Sequence, residues 1–570
     1  MVTDMRTKPL AAVLLFLVLA GFPALQRMVH AETGSEPVEI DSCTLINQSG
    51  YYVLSGDIIT GDSYKPYECI RITASDVVLD GGGHRIVGWS GHGSRAVYVY
   101  NATATLENVT VRNLVISDWT HGIYYKNVRG GRIEENAITG TYGSGVFLDN
   151  SSSIIVINND VSSNYVYGIF LISSTNSSVT NNTANSNHDG IGLENSTENL
   201  ISRNTVNSNT NRGIVLSHST RNVVMGNSLS ENLHGGVSIY SSGNNTVSRN
   251  RVSSNGQMGI WLMSSSGNEI SRNNVTSNDD TGIYLDSSCH NMVILNDVSG
   301  DDVNGIALWS HSSYNTIANN TVRDEPQSAI VIDSSSHNTL SGNSIFSSQY
   351  GILMSFGRDN LITLNNLSSN DYGVYFSLSE NNTIYNNYFD NVHNAVDDKN
   401  NRWNVEKTPG ENIIGGPCLG GNYWSDYRGR DTDGDGLGDT QVPYRSEGGI
   451  AHGGDYLPLV LPTENATQAC TTTPVQTTTT TASTTTQPPS STTTQSTATS
   501  GTTTTTESPS PTSPITTTST PSLTTDTTTS EKSGTSTENP TEGESGGTVC
   551  GPAAMTTLVL LVVIAEKKRH

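Results

Sequence analysis

The chain has 570 residues, a formal net charge of −24 and a hydrophobic content of 34%. That balance supplies no basic patch for nucleic acid, and it is lean for a thick globular core. What it suits is an acidic, Asn- and Ser-rich chain exposed outside the cell, with a few apolar residues placed economically.

At the start, Arg6 and Lys8 precede the apolar run Leu10 to Leu19, and Val29-His30-Ala31 offers a small-residue cleavage site. This is the pattern of a secretory signal peptide over residues 1–31. Pro23 interrupts a run already short for a bilayer, which argues against an uncleaved anchor. Residues 32–100 read as an N-terminal cap with the first coils. Cys43 and Cys69 flank GYYVLSGDI and are expected to close the first coil, because secretion permits pairing. Cys418 with Cys470 is a second candidate pair, and Cys289 reads as a small buried side chain.

Over residues 101–405 one pattern keeps returning. Asn268 opens NEISRNNVTSNDDTGIYLDSS, and 23 residues earlier Asn245 opens NTVSRNRVSSNGQMGIWLMSS. The small residue ahead of the aliphatic pair gives thirteen anchors, from Gly122 through Gly282 to Ala395, at steps of 22, 23 or 24 residues. A period of that size marks a repeat array in which each unit buries its apolar face against its neighbours. Inside a unit Ile283 and Leu285 flank Tyr284, which is strand alternation. Short strands separated by Asn, Ser, Asp and Gly close as single coils of an all-β parallel β-helix, stacked about 4.8 Å apart. Asn recurs in register from Asn199 through Asn268 to Asn382, and again from Asn204 through Asn365. Stacked Asn side chains can bond along a ladder, and Asn tolerates the left-handed backbone of tight corners.

If Ile283 and Leu285 point inward, Tyr284 points out, and the same register position holds Tyr124, Phe147, Phe170, Trp261 and Tyr375. Such a column can lie against sugar rings, with hydrogen bonds from His188, Asn211, His234, Gln257 and Asp280 one turn earlier. Gly192, Ser238 and Ala307 interrupt it, and aromatics also favour strands for packing alone. Asp279, Asp280, Asp301 and Asp302 crowd consecutive coils, where two carboxylates at acid/base distance would serve glycosidic cleavage and where acidic turns facing water are an equal account. Polygalacturonase-like β-helices place Gly-His-Gly after their Asp pair and before Arg-Ile-Lys. Here Gly91-His92-Gly93 precedes every Asp pair and no Arg-Ile-Lys follows.

Residues 406–462 read as a C-terminal cap. Asp431, Asp433, Asp435 and Asp439 alternate with small residues, and Gly434 and Gly436 permit the sharp turn, as a calcium ion requires of one loop. The twelfth position of the loop is Val442 where an EF-hand has Glu, so Asp439 or a distant group such as Asp455 is expected to complete the shell. Residues 463–549 form a Thr/Ser/Pro-rich stretch that cannot bury a core and reads as an extended, disordered, O-glycosylated stalk. Residues 550–570 hold Cys550-Gly551-Pro552, an apolar segment of 13 residues and a basic end. As a helix that segment reaches roughly 20 Å, short of a ~30 Å hydrocarbon core, so it reads as a sorting signal.

The opening GYYVLSGDI and CIRITASDVVLDGGGHRIVG, the coil NxIxxNxVxxNxxGIxL, and the closing GNYWSDYRGRDTDGDGLGDTQVPY with DYLPL together resemble the NosD-like, carbohydrate-associated (CASH-type) β-helix proteins of archaeal surfaces. The resemblance runs from about Cys43 to Leu461 and implies a right-handed β-helix. The tail is similar to the archaeal Cys-Gly-Pro signal that follows Thr-rich stalks, which implies that Cys550 becomes a lipid-bearing end. NosD itself implies copper, which needs His, Met or Cys to converge. His188 and His234 share a column but stand two coils apart, about 9.6 Å, against a metal–nitrogen bond of roughly 2 Å, and His290 with His337 repeats the mismatch. The expected function is therefore polysaccharide binding by an extracellular, membrane-anchored glycoprotein. A lyase, hydrolase or epimerase acting at the acidic cluster and a structural or adhesive surface protein are the alternatives.

Overall fold

A computed structural model describes residues 36–61, 65–89, 91–461 and Cys470; the expected signal peptide, stalk and Cys550 tail lie outside the described residues. Each coil contributes three short strands in chain order, represented by Glu269–Ser271, Asn274–Thr276 and Thr281–Asp286. Stacking gives three faces. The first and third hold sixteen strands each, and the second runs as segments of four and ten strands. Single bridges from Ala137 to Asp160, Thr183 and Thr205 connect those two segments. Pairing is parallel and in register, with Ile260 beside Ile283 and Ile283 beside Ile306. The chain is a parallel β-helix with the period its sequence carries.

Four residues per coil build most of the core. Ile270, Val275, Ile283 and Leu285 are fully buried, and their equivalents continue one apolar column along the stack. This is why a 34% hydrophobic chain suffices: parallel strands enclosed by coiling need only their inward side chains apolar.

Polar ladders line the corners between faces. Asn268 donates its backbone N–H and its side-chain amide to Asn291 Oδ1 at 2.9 and 3.1 Å, and the amide also reaches the Ser242 carbonyl. Asn273 repeats this with Asn296. A third Asn ladder runs from Asn164 through Asn278, and a Ser ladder follows the third face, where Ser265 N–H donates to Ser288 Oγ at 3.0 Å. One expectation is corrected here. The ladder Asn residues do not take the left-handed backbone; along the repeats the residue just before the ladder Asn does, as at Arg272 (φ 55°) and Ser277 (φ 56°), until the last rungs at Asn391 and Asn422. Each non-glycine residue held there costs roughly 1 kcal/mol, and the bidentate Asn bond on the next residue offsets it.

Both ends are capped. Cys43 and Cys69 form the expected disulfide, joining the first strands of the third face, and Cys418 pairs with Cys470. At the far end Asn422 continues a ladder from Asn387, while Trp403 and Trp424 stack on Phe376 and Phe389 to close the apolar column. Asp455, fully buried, accepts bonds from Asn422 N–H and Trp424 Nε1 at 2.7 and 2.9 Å. The closing motif GNYW with its distant Asp-Tyr is therefore a lid on the last coil.

Candidate functional site: the outward side of the third face

The anchor residue shapes this face. Pairing skips it, since Thr281 meets Asn304 and Ile283 meets Ile306. A Cβ built on Gly282 would lie 2.7 Å from Val298 Cγ1 and 2.4 Å from Asp301 Oδ2, so a small residue is obligatory there. The residue ahead of the anchor thereby turns outward and adds a column that simple alternation misses. Tyr167 and Phe170, from two different outward columns, stack at 4.3 Å.

The expected central column is in register. Tyr124 stacks on Phe147 at 4.5 Å and Phe147 on Phe170 at 5.4 Å, while Trp261 meets Tyr284 edge-on at 6.5 Å. Tyr375 lies in the same row, and Tyr98 extends it toward the N-terminus. Tyr124 is only 7% exposed. Its hydroxyl donates to Asp149 Oδ2 at 2.8 Å, beside the Lys126 ammonium at 2.7 Å, so it packs more than it presents a face. The Arg95 guanidinium lies 4.4 Å from the Tyr98 ring and 5.0 Å from Tyr124, and Glu68 bonds both Arg71 and Arg95. His121 sits between Tyr124 and Phe147 and accepts the Ser144 N–H at Nδ1 (3.2 Å). Burial, then the Arg95 charge, lowers its pKa to about 4, so the ring is neutral at pH 7.

Midway, Arg212 stacks over Tyr240 at 4.9 Å, Tyr240 meets Trp261 edge-on at 5.3 Å, and Ser238 lies beside Trp261 in the pairing. At the rim Tyr142 and Tyr165, 49% and 64% exposed, stack in parallel at 4.8 Å. The sequence signal for these was a tyrosine three residues before successive anchors.

The acidic candidates separate. Asp279 and Asp302 are exposed turn residues and Asp280 is half-buried, but Asp301 turns inward as a fully buried member of the third ladder. They do not present one open acid/base pair.

In the C-terminal loop, the carboxylates of Asp431, Asp433 and Asp439 close to within 4.8 Å of one another. Asp435 instead pairs with Lys407 and accepts the Leu437 N–H. Asp455, considered for the same shell, is committed to Trp424 and Asn422 in the cap. Among the described residues this is the single cluster of three or more His, Cys, Asp or Glu side chains with ligand spacing. The Tyr314 ring stands between His290 and His337, at 5.2 and 4.8 Å.

No curated protein matches the chain. Among solved structures, the periplasmic alginate epimerase AlgG aligns at 16% identity over 47% of this chain and 75% of its own, with a TM-score of 0.40. The Dettilon tailspike protein aligns at 16% identity over 58% and 62%, TM-score 0.32. The Azotobacter vinelandii mannuronan C-5 epimerase AlgE6 A-module aligns at 12% over 65% and 88%, TM-score 0.27. Likeness this distant carries no inference about substrate. The family model described as "Periplasmic copper-binding protein (NosD)" matches residues 83–255, 230–370 and 355–429. Its name implies copper, and the carboxylate-only cluster does not fit the imidazole and thiolate or thioether ligands that copper selects. With matches running without a break from residue 83 to residue 429, over more than half of the 570 residues, the chain belongs to the NosD family.

Proposed function

We propose that the protein binds polysaccharide along the outward side of its third face, outside the cytoplasm. The observation that carries this reading is where the unsatisfied polar groups lie. Among the described residues, eleven buried side-chain atoms lack a hydrogen-bond partner: four, on Asn187, Asp301, Glu325 and Asn338, belong to the corner ladders, and the other seven are Arg71, Arg95 and Arg212 Nε, Ser238 Oγ, Tyr240 Oη, Trp261 Nε1 and Ser328 Oγ. All seven belong to this one face, interleaved with the aromatic rows. Orphaned buried polar groups are costly, and a polar ligand satisfies them while the rings offer amphipathic area beside it. The Cys43–Cys69 and Cys418–Cys470 disulfides among the described residues suit an oxidising compartment.

A glycan array probed with the full chain tests the reading. Retention of a polysaccharide without released product, weakened about tenfold by Phe147→Ala or Tyr284→Ala, is the expected result. Product release would transfer the protein to the enzyme class, and retention of no glycan at all would leave a structural or adhesive role. The anchor belongs to the same proposal. If Cys550 carries the lipid, Cys550→Ser releases the protein into the medium or leaves an unprocessed tail. A variant processed and membrane-bound like the parent ends that part of it.

A further inference from the structure

Four of the orphaned atoms fall in one patch. Arg212, Ser238, Tyr240 and Trp261 come from three consecutive coils, with Ser238 fully buried; their Nε, Oγ, Oη and Nε1 atoms complete no well-formed hydrogen bond, the Tyr240 hydroxyl lying close to the Ser238 hydroxyl and the Arg212 guanidinium without full bonding geometry. The Arg212 guanidinium lies 4.9 Å from the Tyr240 ring centroid, and the Tyr240 and Trp261 rings lie 5.3 Å apart. Val215 separates Ser238 from Gly192 in the pairing row, and the Tyr167 ring lies over Gly192, where a Cβ would meet it at 2.6 Å.

We propose that these four side chains form the specificity subsite of the glycan face and that it takes an uncharged, hydroxyl-bearing pyranose. The inference rests on the polysaccharide reading and sharpens it. Arg212 Nε–H and Trp261 Nε1–H can only donate, so the ligand must bring acceptor oxygens, whereas the Ser238 and Tyr240 hydroxyls work in both senses. The flanking charge decides the class. Asp189, whose Oδ1 accepts the Arg212 backbone N–H at 3.0 Å, and Glu194, in the outward row that continues through Ser217 to Tyr240, set two carboxylates against one guanidinium. A uronate or sulfated sugar would meet that excess of negative charge, while neutral hydroxyls can donate to the carboxylates and accept from the N–H groups. Entry requires Arg212 to swing off Tyr240, a motion open to a long side chain held there by a ring contact.

The test uses the full chain, two conservative variants and two sets of polymers: neutral glucan, mannan and galactan, and the polyuronates alginate and pectate. Tyr240→Phe keeps the ring and deletes only the O–H, while Trp261→Phe deletes the N–H and trims the indole to a phenyl ring that still faces Tyr240 and Tyr284. Each is expected to weaken retention of a neutral polymer about tenfold; Tyr240→Phe should melt at or above the parent's temperature, because a buried orphan goes with no loss of ring packing, whereas Trp261→Phe also loses part of its ring contacts and should melt no higher than the parent. If retention is unchanged in both variants while Tyr284→Ala still weakens it, the four groups are structural orphans and the subsite is refuted while the broader reading stands. Preference for alginate or pectate overturns the neutral class. Failure of the parent to retain any polymer ends the broader reading, and this one with it.

Discussion

Where the third ladder passes Asn278 its chemistry changes. Every rung back to Asn164 is Asn, whose amide both donates and accepts, but the next two rungs are Asp301 and Glu325. Asn278 donates its backbone and side-chain N–H to Asp301 Oδ1, both at 2.8 Å, and Asp301 N–H donates to Glu325 Oε2 at 3.0 Å. Asp301 Oδ2 and Glu325 Oε1 are left unpaired in the interior. Burial first, then the Asp301 charge, lifts Glu325 from 4.5 to about 9, and burial lifts Asp301 from 3.8 to about 7, with Asp302 adding to it. Raised carboxyl values mean that the folded chain keeps protons the unfolded chain has lost. Stability is therefore fully present below the unfolded values and falls as pH rises toward the folded ones, by up to about 1.4 kcal/mol per pH unit for each proton retained. Glu325→Gln restores a donor and removes the charge. Melting curves from pH 5 to pH 9 should show the variant losing less stability than the parent, with the largest gain at pH 9. Parallel curves would show that the pair does not titrate in this window.

At the scale of the element, the coil was legible because its strongest constraint is periodic. An inward Ile283 needs an inward Ile260 below it and Ile306 above, so the repeat carries the register. Tyr284 and Trp261 were correctly placed outward by the same alternation. The row holding His121, Tyr167 and Arg212 was not legible, because the anchor is skipped in the pairing and a strict period of two then assigns the residue before it to the wrong side. Asp301 was misplaced because an acidic pair reads as a turn, and only its 23-residue distance from Asn278 marks it as a rung. The acidic loop of the C-terminal cap stands between these cases. Both Asp431 oxygens accept backbone N–H groups, from Gly434 and Gly436, and Asp439 accepts Thr432, so the loop is shaped around its carboxylates. Lys407, paired with Asp435, supplies a competing positive charge. If calcium binds here, a hundredfold excess over Kd adds about 2.7 kcal/mol to stability. The melting temperature should climb with calcium, and Asp433→Ala should abolish the climb without harming the calcium-free protein. Lys407→Met should let calcium act at lower concentration. Absence of any calcium response in parent and Lys407→Met alike would leave an acidic turn neutralised by lysine.

Across the whole molecule, stability follows from one-dimensional stacking. Each coil touches its two neighbours, so the energy is close to a sum of coil terms and interface terms, and a defect in the middle weakens the link between two halves that each remain intact. The halves are separately finished. The first holds the Cys43–Cys69 closure, and the second holds the Trp403 and Trp424 lid. Ile283 is fully buried near the centre of the stack, between Ile260 and Ile306. Ile283→Asp puts a carboxylate among aliphatic side chains that offer no hydrogen bond, at a cost of several kcal/mol even after its pKa rises. Ile283→Val, which removes one methylene, should cost about 1 kcal/mol. The Asp variant should therefore melt well below the parent and in two steps, with protease cutting first near Thr281–Asp286, while the Val variant keeps one transition slightly lowered. A single transition at the parent's temperature in the Asp variant would mean that Ile283 does not face the core, and the register of all three faces would have to be shifted with it.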